Sequence, residues 1–126
     1  MSSPPTRPPT LLDAAALQRL RELDPKGQNQ LLERVLNAFE ASVSRLVPQL
    51  LQARAAADSA AVRHVAHTLK SSSASIGALT LSQMCADIEA MIRNDKVLGL
   101  DERVALMHGE IASVRLALRV LLAPAG

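Results

Sequence analysis

Apolar residues recur along this chain in alternating steps of three and four, a spacing that places side chains on one face of an α-helix. Two stretches show the pattern most clearly. The first carries apolar residues at Leu32, Leu36, Phe39, Val43, Leu46, Leu50, Ala53 and Ala57. The second carries them at Leu100, Val104, Met107, Ile111, Val114, Leu118 and Leu121. The pattern therefore predicts two long helices, each of which buries one face.

Shorter stretches of the same pattern, and the residues that interrupt them, predict further helices. The segment 24–27, Asp-Pro-Lys-Gly, breaks the first helix, Gly77 ends the third, and a turn over 94–99 precedes the last. The predicted helices cover 11–23, 28–57, 59–76, 79–93 and 100–122.

Several residues indicate how these helices begin or bend. Thr10 followed by Asp13 resembles a capping box at the start of the first helix. Asp58 or Ser59 is a suitable cap for the third helix. Pro48 lies inside the second helix and has no N–H to donate, so it predicts a kink there.

The lengths of the helices and of their connections predict the architecture. The last four helices are long enough to cross a small domain, and the short loops between them require antiparallel neighbours. We therefore expect an all-α fold, an antiparallel up-down four-helix bundle with a short additional N-terminal helix. The bundle is expected to cover 10–122, after a flexible proline-rich arm over 1–9 and before a flexible tail over 123–126.

Composition narrows the classes of function. Aromatic residues make up 1% of the chain and glycines number 5, which disfavours an all-β domain and a glycine-rich phosphate loop. The net charge of +2, without a basic run or aromatic platform, argues against nucleic acid as a partner. No apolar run approaches the ~20 residues of a membrane span. Cys85 is the only cysteine, so we expect a reducing, cytoplasmic setting and a buried thiol.

The segment from residue 62 to residue 78 carries the candidate chemistry. Since Val65 or Ala66 and Leu69 must face the core, His67 points away from it. Four residues lie three or four positions from His67, or one turn further, on the same outward face: Arg63, Lys70, Ser71 and Ala74. This face combines an imidazole that is nucleophilic at neutral pH with two cations and small neighbours that leave room for a partner.

On geometry alone, other interpretations of His67 remain open. The simplest is an ordinary surface histidine on a basic face. A metal site with His64 has a permitted spacing, but no second pair of ligands is evident, so we expect no bound metal. A hydrolase triad is disfavoured because the histidine lies on a convex helix face. We expect His64 to be solvated or to support His67, and His108 to be a partly buried packing residue.

The segment His67-x-Leu69-Lys70-x-Ser72-Ser73-x-x-Ile76-Gly77-Ala78 resembles the signature of histidine-containing phosphotransfer (HPt) domains. The family pattern is His-x-Leu-Lys-Gly-Ser-x-x-x-(aliphatic)-Gly-Ala, and the likeness extends over roughly 10–122. The clearest departure is Ser71, where the family usually has glycine. This departure bears on how closely a partner packs against the helix.

The resemblance implies roles for individual residues. His67 would be the phosphoacceptor, and Lys70 would contact the phosphoryl oxygens. Gly77 would close the hairpin between the two central helices. Glu89 stands where the family often has a polar residue that bonds the imidazole or the phosphoryl group; as a carboxylate it would orient the ring but repel a bound phosphate at short range. The outward face around His67, together with part of the first helix, would dock the partner.

The implied function is that of a phosphoryl carrier in a multistep phosphorelay. The partners would be response-regulator receiver domains and a hybrid sensor histidine kinase, and the Mg²⁺ for the reaction would come from the receiver. We expect a monomer that binds no cofactor and has no kinase activity of its own. Two alternatives remain: a non-catalytic adaptor bundle, and the dimerisation-and-phosphoacceptor part of a histidine kinase, which would need an ATP-binding domain.

Overall fold

The computed structural model describes residues 12–123, and the secondary structure of these residues is entirely helical. The helices are α1 (Ala14–Glu22), α2 (Leu31–Ala55), α3 (Ser59–Ser75), α4 (Leu79–Arg93) and α5 (Leu100–Leu122). The predicted all-α fold is thus confirmed, and α4 and α5 begin and end where the sequence predicted. The predictions for 1–9 and 124–126 concern residues outside the described range.

The four long helices form a closed ring in which α2 packs on α3, α3 on α4, α4 on α5, and α5 back on α2. This order follows from the short connections, and it puts α3 and α5 at opposite corners of the bundle. The short α1 packs against α2. The core side chains that are almost completely buried include Leu36, Val43, Leu46, Leu50, Val65, Leu69, Ile76, Leu81, Ile88, Met107, Ile111 and Leu118.

The start of α2 differs from the prediction by three residues. The carboxylate of Asp24 accepts hydrogen bonds from the backbone N–H groups of Asn29, at 3.2 Å, and Leu31, at 3.1 Å. Gln30 adopts a left-handed conformation with φ 50°. Asp24 therefore folds residues 28–30 into a loop and supplies an acceptor for the first turn of α2, so the helix begins only at Leu31.

The start of α1 is also later than predicted, and its cap is a different residue. Asp13 itself is the N-cap, because its carboxylate accepts from the N–H of Ala16 at 3.1 Å. The predicted capping box had placed Asp13 inside the first turn, behind Thr10, which is outside the described residues. At α3 the cap is Asp58, one of the two candidates predicted, and its carboxylate accepts from the N–H of Ala61 at 3.1 Å.

The helix ends explain the remaining differences at α2 and α3. Ala57, with φ 51°, and Gly77, with φ 82°, hold left-handed conformations just after the helices. In each case the N–H of the left-handed residue and the N–H of the residue after it donate to carbonyls of the last turn, as in a Schellman motif. The helices therefore end earlier than the sequence predicted, which was at residue 57 for α2 and at residue 76 for α3. Pro48 is exposed within the continuous α2, and its kink remains a prediction.

Candidate functional site

His67 lies near the middle of α3, and 67% of its side chain is exposed. The residues that flank it on the inner side, Val65, Ala66 and Leu69, are buried in the bundle core. The helical periodicity therefore turns the imidazole outward, onto a convex surface. Such a surface suits approach by another protein, because a small ligand is normally held in a concave pocket.

A buried carboxylate on the neighbouring helix contacts His67. Glu89 on α4 has a side chain only 6% exposed, and its Oε2 lies 2.7 Å from Nδ1 of His67. Its other oxygen, Oε1, accepts from Nζ of Lys70 at 2.6 Å. One buried carboxylate thus joins the two residues that the sequence singled out on α3.

The charge state of Glu89 follows from these contacts. The hydrogen bonds from Lys70 and then from His67 hold the pKa of Glu89 below its usual range, against the opposing effect of desolvation. The carboxylate is therefore ionised at neutral pH and can only accept hydrogen bonds. Nδ1 of His67 must consequently carry a proton, so in the neutral ring the lone pair belongs to Nε2, on a side chain that is mostly exposed. The geometry presents Nε2 as the nucleophilic atom.

Two further α4 residues adjoin this cluster, and the sequence did not mark either as part of it. Ser82 donates through Oγ to the backbone carbonyl of Lys70 at 2.8 Å, which fastens α4 to α3 beside the lysine. Cys85 is buried one turn before Glu89, with Sγ 3.6 Å from Sδ of Met107. Burial, assisted by the negative charge of Glu89, raises the pKa of the Cys85 thiol to about 12, so this thiol stays protonated.

The other residues predicted for the site take two kinds of position. Arg63, Ser71 and Ala74 are exposed on α3, and the structure records no side-chain hydrogen bond from them to the cluster among residues 12–123. They surround His67 as a surface. Gly77 is buried in the turn between α3 and α4, ten residues along the chain from His67, which separates it from the imidazole by roughly 15 Å of helix length.

Gly77 contributes to the support of α1. Its carbonyl accepts from the N–H of Asp13 at 2.7 Å. A Cβ atom at this position would lie 2.7 Å from the nitrogen and 2.9 Å from the oxygen of Asp13. Glycine therefore serves the turn in two ways, through its positive φ and through the close approach of the start of α1.

The remaining histidines lack such surroundings. His64 is exposed one turn before His67 on α3, and its carbonyl accepts from Oγ1 of Thr68. His108 is half-buried on α5, as the sequence predicted. Among residues 12–123 no cluster of potential metal ligands occurs. Within the same range, no helix is both long enough and apolar enough to cross a membrane.

One signal in the sequence pointed to the special position of Glu89. It follows Cys85 and Ile88 on the inward side of α4, where an unpaired charged residue would lower the stability of the fold. The pairing with His67 was anticipated as ring orientation, whereas the pairing with Lys70 was not. That second contact depends on the register of α4 against α3, which no local pattern encodes.

Comparison with known proteins places this geometry in a family. A family model for the Hpt domain matches residues 34–117, and no curated protein sequence matches the chain. The crystal structure of histidine-containing phosphotransfer protein B from Pseudomonas aeruginosa PAO1 is similar, with a TM-score of 0.76 and 26% sequence identity. The similarity covers 89% of this chain and 94% of that one. The chain belongs to the Hpt family and is a histidine phosphotransfer protein of phosphorelay signalling.

Proposed function

We propose that His67 is the residue that carries the phosphoryl group, which it takes from the phospho-aspartate of one receiver domain and passes to the aspartate of another. The observation that carries this assignment is the Glu89 carboxylate. Its Oε2 lies 2.7 Å from Nδ1 and holds the proton there, while 67% of the His67 side chain stays exposed, so that a partner can reach Nε2. No such partner bonds His64, the other exposed histidine of α3, among the described residues.

The transfer requires no proton to leave the site. Nε2 of His67 attacks the phosphorus, the Nε2–P bond forms, and the bond from phosphorus to the aspartate oxygen breaks with its electron pair on that oxygen. The Nδ1 proton stays on the ring, and the positive charge that the ring gains lies next to the Glu89 carboxylate. In the return step the receiver carboxylate attacks, and the electron pair of the Nε2–P bond goes back to the imidazole.

Lys70 is proposed to bind the phosphoryl oxygens. Its ammonium has three N–H donors, of which the bond to Oε1 of Glu89 uses one. The side chain is about one-third exposed, so a partner can reach the other donors. Because His67 and Lys70 already occupy both oxygens of Glu89, the repulsion expected between this carboxylate and a phosphoryl group is partly neutralised.

The division of labour with the partner follows from the same geometry. The site supplies a nucleophile, a cation and a convex docking surface that includes Arg63, Ser71 and Ala74. We propose that the receiver brings the Mg²⁺ and the acidic pocket, that a hybrid sensor histidine kinase starts the relay, and that this chain has no kinase activity of its own. The free thiol of Cys85 supports a cytoplasmic setting for the exchange.

The test uses a receiver that carries ³²P-phosphoaspartate, with Mg²⁺, and compares His67→Gln with His64→Gln. Wild type and His64→Gln should become labelled in an acid-labile, base-stable form, whereas His67→Gln should remain unlabelled with an unchanged helical melt. Labelling of His67→Gln would contradict the assignment. Labelling of the wild type by ATP and Mg²⁺ alone would contradict the absence of a kinase site. Failure with every receiver of the source organism would favour an adaptor.

A further inference from the structure

The outer face of α5 has an unusual composition for a surface helix. On the side opposite the core stripe, the residues between Arg103 and Arg119 are uncharged, and they are Ala105, Leu106, Gly109, Ala112, Ser113 and Leu116. Leu116 is 60% exposed, and Val120 beyond it is 76% exposed. Single exposed leucines are common on protein surfaces, but a continuous uncharged face of this length indicates a surface that another molecule covers.

Gly109 is a second anomaly of the same face. It lies inside α5, is exposed, and would find no atom within 4 Å of an added Cβ. Its helical backbone does not require a glycine, and glycine in a helix interior is less favourable than alanine by about 1 kcal/mol. Nothing within the described fold requires the missing side chain. A helix from another molecule, packed closely across this point, would require it.

Two copies of this face are complementary to each other when they run in opposite directions. Positions 102, 105, 109, 112, 116 and 119 follow one another in steps of three and four, so they form a single seam along α5. When two copies of this seam are laid antiparallel, Glu102 of one meets Arg119 of the other. Ala105 then meets Leu116, and Gly109 meets Ala112. Opposite charges thus pair at both ends, a small side chain faces a large one, and the two smallest residues meet at the centre.

We propose that the outer face of α5 binds a second copy of this chain, in an antiparallel helix pair whose two-fold axis passes next to Gly109 and Ala112. An interface of this kind is isologous, so the same patch must complement itself, as the Glu102–Arg119 and Ala105–Leu116 pairs do. The proposal replaces the monomer expected from the sequence.

The size of the seam sets the strength of the association. From Glu102 to Arg119 the helix rises by about 26 Å. A single pair of helices of this length buries less than the roughly 1,200 Å² that marks the lower end of stable interfaces, so the dimer is expected to be weak and reversible. We therefore expect a dissociation constant between about 1 μM and 1 mM.

The dimer leaves both candidate phosphorylation sites free. Since α3 and α5 occupy opposite corners of the bundle, the two His67 side chains face outward on opposite sides of the pair. This consequence rests on the proposed function, whereas the dimerisation itself does not. A carrier with two sites would bind a dimeric receiver-bearing partner with higher avidity than a single copy does.

Sedimentation equilibrium of the full chain, at concentrations between about 1 μM and 1 mM, tests the proposal. We expect the apparent mass to rise from that of the 13.4 kDa chain to twice that value. Leu116→Glu should weaken the association at least tenfold. Leu98→Glu, at a residue 97% exposed in the α4–α5 connection, should leave it unchanged. A chain that stays monomeric throughout this range would overturn the proposal.

Exchange of the charges tests the antiparallel register. Glu102→Arg and Arg119→Glu should each weaken the dimer, and the double variant should restore it, because each new arginine again meets a glutamate. A double variant that associates no more tightly than the single variants would overturn the register, provided that circular dichroism shows all three folded. Phosphoryl acceptance by Leu116→Glu from an isolated receiver should match the wild type. Loss of acceptance by the wild type itself would contradict only the role of His67.

Discussion

Gly77→Ala isolates the contribution of α1 to the stability of the bundle. The substitution has two consequences. It places an L-residue at φ 82°, and it drives a methyl group to within 2.7 Å of the nitrogen of Asp13. Gly99→Ala is a matched control, since Gly99 has φ 78° and open space within 4 Å of an added Cβ. The difference between the two variants therefore measures the contact with α1 alone.

The magnitudes follow from these two consequences. A left-handed conformation costs an L-residue about 1–2 kcal/mol, and alanine recovers about 0.4–1 kcal/mol by restricting the unfolded chain. Gly99→Ala should therefore lower the free energy of unfolding by about 1 kcal/mol. Gly77→Ala additionally breaks the hydrogen bond from Asp13 to the Gly77 carbonyl, worth about 1 kcal/mol, and loosens the packing of Leu12 and Leu17. We expect a total loss of about 2–4 kcal/mol.

Urea denaturation followed by far-UV circular dichroism gives both free energies by linear extrapolation. Hydrogen exchange should show that the amides of α1 lose protection in Gly77→Ala and keep it in Gly99→Ala. Phosphoryl acceptance should survive in both, because His67 lies about three helical turns from Gly77. Equal losses of stability in the two variants would refute the reasoning, since the contact with Asp13 would then contribute nothing.

Three other predictions concern the site and the core. Lys70→Ala should slow phosphoryl transfer about ten- to a hundredfold without unfolding the bundle, because one charge-assisted hydrogen bond is lost. An unchanged transfer rate in rapid-quench assays would exclude contact between Lys70 and the phosphoryl group. Lys70 and His67 lower the pKa of Glu89 in the folded state, so the contribution of Glu89 to stability is complete at neutral pH and is lost as the pH falls through the folded-state pKa. Glu89→Gln should therefore flatten the acid side of the curve of stability against pH. An acid side identical to that of the wild type would refute this. Ser73→Ala should raise the free energy of unfolding by about 1 kcal/mol, because the buried Ser73 hydroxyl has no hydrogen-bond partner in the described structure. A variant that is less stable in urea denaturation would show that the hydroxyl does form a hydrogen bond.

The periodicity of the sequence determined the orientation of each helix face. On α3 the inward positions of Val65 and Leu69 were enough to turn His67 outward, because 3.6 residues per turn leaves little freedom once the core side is known. The bounds of α4 and α5 were predictable for the same reason, since both helices lie between strong local breaks. The signature around His67 also pointed to the family that the comparisons confirmed.

The tertiary structure decided the features that depend on distant residues. The start of α2 was misjudged because the carboxylate of Asp24 reaches forward to Leu31. The close approach of Gly77 to Asp13 joins residues far apart in the chain. The bonds from Glu89 to His67 and Lys70 span 22 and 19 residues and exist only in one register of α4 against α3. Local patterns determine which face of a helix is buried, whereas the packing of complete helices determines which side chains meet across them.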